Sequence, residues 1–82
     1  MNRLPKERVR PYEVWEQTAK ELIEIEMARR GIGYKELARL LAGLGIDESA
    51  GQINRKVNRN RFSAAFLIAC LRAMDVKAIS LE

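Results

Sequence analysis

From Tyr12 to Met74 the apolar residues of this chain recur at the spacing of an α-helix. The pattern breaks only around Gly31–Gly33, Gly43–Glu48 and Asn60–Ser63. Breaks that short, rich in Gly, Asn and Ser, join helices, so the expected fold is all-α, a small four-helix bundle. Eighty-two residues make one small domain at most. A core of that size is marginal unless something adds to it, and dimerisation is the simplest addition.

The first helix is expected over Tyr12–Arg30. Trp15, Thr18, Ala19, Leu22, Ile23 and Ile25 fall on one broad stripe at about 100° per residue. On that reading Trp15 and Tyr12 are core and rim aromatics. Glu26 projects beside the stripe, where an ion pair with a nearby arginine would satisfy it. Glu13 and Glu16 suit the positive end of the helix dipole, Arg29 and Arg30 the negative end, and Gly31 the stop.

A second helix begins after Gly33, with Leu37, Ala38, Leu40, Leu41 and Leu44 as its buried face and Gly43 and Gly45 at its end. Ser49-Ala50-Gly51-Gln52 has the form of a capping box opening a third helix, with Ala50, Ile53 and Val57 inward. Ser63 caps a fourth, Ala64–Met74, which is apolar nearly all round. Phe66, Leu67, Cys70, Leu71 and Met74 form one stripe; Ala65, Ile68, Ala69 and Arg72 form another, suited to a homodimer interface. The end, 76–82, is a final turn or a short C-terminal strand, the alternation of Ile79 and Leu81 favouring the strand.

Charge is distributed unevenly along this frame. Residues 1–11 carry Arg3, Lys6, Arg8 and Arg10 against Glu7, and are expected to form a basic flexible arm ahead of a domain over 12–82. The third helix and its exit carry Gln52, Arg55, Lys56, Asn58, Arg59 and Arg61, with acids only at the entrance. Amides and guanidinium groups on one short helix are what the major groove of duplex DNA is read with. Arg55 and Arg59 would meet guanine edges or phosphates, Gln52 and Asn58 adenine or phosphate, and Lys56 and Arg61 the backbone. Tyr34 and Lys35, in the first turn of the second helix, would add a phosphate contact.

The order of elements resembles the Cro and phage-repressor type of helix-turn-helix domain. The resemblance is carried by Arg29-Arg30-Gly31-Ile32-Gly33, Glu36-Leu37-Ala38, the polar third helix, Phe62-Ser63 and the apolar helix before Val76. It implies a recognition helix and DNA binding. Ala38 to Ile53 is about five positions longer than that pattern allows, so the turn is lengthened. The chain is also similar to a small bacterial family of uncharacterised domains, through Arg55-Lys56, Arg59–Arg61, Phe62-Ser63-Ala64-Ala65-Phe66 and Cys70-Leu71. That similarity implies no activity.

Other classes of function are disfavoured. With one cysteine and no histidine, zinc-ligand spacing and an imidazole base are lacking, so no metal, no cofactor and no enzyme are expected. Ala64–Leu71, the most apolar run, is about a third of a membrane span, and Met1–Trp15 lacks a secretory apolar run, so a cytoplasmic protein is expected. RNA binding is disfavoured because no aromatic cluster lies near the basic residues in sequence. The expected function is a small transcriptional regulator binding duplex DNA as a homodimer. The alternative is a protein-interaction module, an adaptor or antitoxin-like partner, that keeps the bundle without the DNA contact.

Overall fold

The computed structural model describes residues 10–81 and contains four helices. They are α1 (Glu13–Arg30), α2 (Tyr34–Ala42), α3 (Ala50–Asn58) and α4 (Ala64–Ala73). The basic arm lies outside the described residues except for Arg10 and Pro11. No strand is present among the described residues, so the short C-terminal strand is corrected: 76–81 runs without ladder pairing. The described residues, helical apart from their connections, offer that segment no sheet edge to pair with.

Helix boundaries follow local chemistry. Each helix is followed by a residue in the left-handed region: Gly31, Gly45, Asn60 and Asp75, with φ of 63°, 85°, 62° and 61°. After α1, Gly31 N–H bonds to Ala28 O and Ile32 N–H to Met27 O, which closes the helix by a Schellman pairing. The same pairing recurs after α2, from Gly45 to Ala42 and Ile46 to Leu41, and after α4, from Asp75 to Arg72 and Val76 to Leu71. At the other ends, Ser49 and Ser63 accept from the amides of Gln52 and Phe66. The Gln52 side chain returns the bond to Ser49 N–H at 2.7 Å, completing the capping box.

All four helices feed one core. Ile23 and Met27 come from α1, Leu37 and Leu41 from α2, and Ile53 and Val57 from α3. Phe66, Cys70 and Leu71 come from α4, and Met74 follows it. The expected faces of α2, α3 and α4 are largely those observed, although Leu44 is half exposed.

The expected stripe of α1 is buried only in part: Ile23 joins the core, and Thr18, Ala19 and Leu22 are half buried. Trp15 is 65% exposed and Ile25 50%, while the buried residues are Ile23, Met27 and Glu26. Ile25 lies about 200° round the helix from the buried Ile23, on the far edge of the stripe; for Trp15 the reason is length. An 18-residue helix is about 27 Å long, whereas helices of nine or ten residues reach about 15 Å. The amino-terminal half of α1 therefore extends past its neighbours, and Tyr12 and Trp15 are exposed rather than core and rim. Glu26 is paired as expected, with Arg29 at 3.0 Å and with Arg30.

The extra residues of the α2–α3 connection do not lengthen α2, which stops at Ala42. They fold as a loop in which Ile46 packs against the core and Glu48 reaches Lys56 on α3.

Candidate nucleic-acid interface

Burial of Ile53 and Val57 fixes which way α3 faces. Gln52, Asn54, Arg55, Asn58 and Arg59 are left on the outside, and Lys56 is half buried at the edge. Arg59 is the cap residue, its N–H bonded to Arg55 O at 3.0 Å.

The bases around this helix divide into two kinds. Lys56 Nζ lies 2.6 Å from Glu48 Oε2 and 4.9 Å from the centre of the Phe66 ring. It fastens the loop and α4 to α3, and its charge is largely spent inside the fold. Arg61 faces Glu16 of α1 at 3.8 Å, and Asn60 Nδ2 donates to Gln17 Oε1 at 2.9 Å. Arg55, Arg59 and Lys35 are exposed and have no acidic partner among the described residues. Glu36, beside Lys35, is held by Arg39 at 2.5 Å, and that guanidinium lowers its carboxyl below the ordinary range.

The amides are less free than the arginines. The Gln52 side-chain oxygen is used by the capping box. Asn58 Nδ2 donates to Asn54 O at 2.9 Å and also to the Asn54 side chain. Tyr34 is half buried beside Asn58. Burial raises its phenol above the ordinary value, the Asn58 hydrogen bond opposes that, and the Glu24 charge adds to it. Tyr34 thus helps join α2 to α3. Gly51 leaves space that Arg55 uses: a Cβ built there would sit 3.5 Å from Arg55 Nη1. The long side chain lies back along the helix toward its first turn.

Sequence reasoning missed two features. The partners of Lys56 and Arg61 sit on other elements, so spacing along α3 carries no signal for them. The aromatics were the second. Tyr12, Trp15 and Phe62 line a hollow with Glu16, Asn60 and Arg61, so the folded chain does place aromatic rings beside a base. Of the expected dimer residues, Ala65, Ile68 and Arg72 are exposed and Ala69 is half buried. Cys70 is fully enclosed, and burial pushes its thiol up to about 12, with the nearby Glu48 charge adding to the effect. Such a thiol is inert at neutral pH.

Among the described residues no group of His, Cys, Asp or Glu is arranged to hold a metal ion. No helix among them is long and apolar enough to cross a membrane. Residues 15–79 match the family described as a domain of unknown function (DUF6471). The chain belongs to that family. The DUF6471 span takes in α2, α3 and α4 whole and α1 from Trp15 onward. It bears out the similarity to a small uncharacterised domain and lends no support to the phage-repressor resemblance. No curated protein and no solved structure matches the chain.

Proposed function

We propose that this DUF6471 domain binds duplex DNA through the exposed face of α3, as a homodimer, in the role of a small transcriptional regulator. The observation that carries the reading is the pair Arg55 and Arg59, exposed on one short helix with no acidic partner among the described residues. An arginine left unpaired on a helix face is available to a phosphate or to a guanine edge. Lys35 adds a third free cation at the start of α2. Lys56 has a smaller role in this reading than its charge suggests, because Glu48 offsets it; Arg61 is offset only in part, since Glu16 is shared with Arg10. The α2–α3 unit acts as a helix-turn-helix with a lengthened loop.

A second reading, a protein-interaction module without DNA contact, is favoured by one specific observation. The α2–α3 loop carries the acid that neutralises Lys56, so the free charge on α3 is small. Titration of the protein into a fluorescently labelled mixed-sequence duplex at low salt, followed by anisotropy, separates the two. Saturable binding is expected. A well-folded protein that leaves the anisotropy unchanged would favour the interaction module.

A further inference from the structure

Five of the eight exposed large apolar residues among the described ones gather on one side of the molecule. Three hollows adjoin along one side of the molecule. The first is lined by Trp15, Glu21 and Leu81, and shares Leu22 and Ile25 with the second. The second shares Ala78 and Ile79 with the third, which is completed by Ile68 and Arg72 of α4. The segment after α4 thus lies between α1 and α4 and joins their open faces into one seam.

Trp15, Ile25, Ile68, Ile79 and Leu81 are between 43% and 75% exposed. Together they leave on the order of 600 Å² of residue surface open, at the upper limit for the largest apolar patch of a typical monomer. With the charged residues at its ends, the face approaches the roughly 800 Å² per partner of a standard interface.

The charges at the two ends decide what fits. Nearly every acid among the described residues has a cationic partner; the exceptions are Asp47 and Glu21, whose carboxylate meets only the Gln17 amide, at 3.0 Å. Glu21 stands at the Trp15 end. Arg72, which makes no salt bridge among the described residues because the nearby Asp75 is held by Lys77, stands at the Ile68 end. One acid and one base, each without a salt bridge among the described residues, at opposite ends of a single apolar seam are self-complementary under a two-fold axis. Each end of one copy then meets the opposite end of the other.

We infer that this seam takes a second copy of the chain, with α1, the 76–81 segment and α4 of both protomers in contact and Glu21 of each opposite Arg72 of the other. The inference names the surface for the homodimer proposed above. It extends the α4 face of Ala65, Ile68, Ala69 and Arg72 to α1 and the terminal segment, and it does not depend on DNA contact.

Sedimentation equilibrium in the absence of DNA tests it, over a concentration series. Wild-type protein is expected to be a reversible dimer. Glu21→Arg and Arg72→Glu should each weaken self-association by about tenfold, because both symmetry-related contacts become repulsive, while helical content and melting are retained. The double variant Glu21→Arg/Arg72→Glu should regain the wild-type dimer. A folded wild type that stays monomeric throughout would overturn the inference, as would folded single variants whose combination fails to restore association. A monomeric wild type would also remove the homodimer from the proposed function, while the duplex titration would still test DNA binding on its own.

Discussion

At the scale of single residues, the chain separates cations that hold the fold from cations that face outward, and Gly51 shows how the two can be told apart by experiment. Glycine in a helix costs roughly 1 kcal/mol relative to alanine. A methyl group at Gly51 meets only the flexible end of Arg55, at an ordinary contact distance. Gly51→Ala is therefore expected to stabilise the fold by about 0.5–1 kcal/mol, read as a higher midpoint in urea. If duplex affinity falls while stability rises, Gly51 is serving close approach of the DNA backbone. Cys70 makes a second prediction. Its folded thiol keeps its proton to about 12, whereas the unfolded thiol releases it near the ordinary 9.0. The folded state binds the extra proton, so this stabilisation is complete below pH 9 and is lost as pH rises toward 12. The stability advantage of wild type over Cys70→Ala should accordingly shrink across that window in paired melts. A constant difference would show that the site is wetter than it looks.

At the scale of elements, the helices are defined by short-range chemistry, and this is why most of them were legible in sequence. The Ser49–Gln52 box is a local bond pair, so four residues predict it. Ser49→Ala is expected to cost about 1 kcal/mol and to fray the first turn of α3, measurable by denaturation and by faster amide exchange at Gln52 and Ile53. No loss of protection there would mean the helix start is held by packing instead. The buried face of α1 was legible only in part: Ile23 was read as buried and is, but how far the shorter neighbours reach along an 18-residue helix is not written locally. Periodicity locates an apolar stripe but does not say which half is covered. Trp15 and Ile25 belong to the apolar set and yet face outward. The same limit applies to the chain end, where alternation of Ile79 and Leu81 suggested a strand. What that alternation marks is a segment lying across two helices, with one side chain in each of two adjoining hollows.

For the whole molecule, the distribution of ion pairs outweighs the net charge of +4. Lys35, Arg55, Arg59 and Arg72 are the cations without a salt bridge among the described residues, and they fall on two surfaces. Three lie on or beside the α2–α3 unit, and Arg72 lies on the α4 side of the apolar seam. The candidate site was therefore half legible. The outward face of α3 was legible from the inward positions Ile53 and Val57, but the pairing of Lys56 with Glu48 and of Arg61 with Glu16, which Arg10 shares, required the tertiary fold. That division gives opposed expectations for two bases on one helix. Lys56→Ala should cost about 1–2 kcal/mol of stability, since it leaves Glu48 without its partner and removes the contact with Phe66. Arg59→Ala should leave stability within about 0.5 kcal/mol of wild type.

The most direct measurement is the salt dependence of duplex binding for wild type, Arg59→Ala and Lys56→Ala, at a temperature where all three are folded. If Lys35, Arg55 and Arg59 of two protomers each meet a phosphate, the logarithm of affinity should fall with the logarithm of salt at a slope of about −5. Arg59→Ala should flatten that slope by about 0.9 per protomer, and Lys56→Ala should leave it unchanged. A folded wild type that does not bind at low salt would contradict the account, and so would a slope that Lys56→Ala flattens and Arg59→Ala does not.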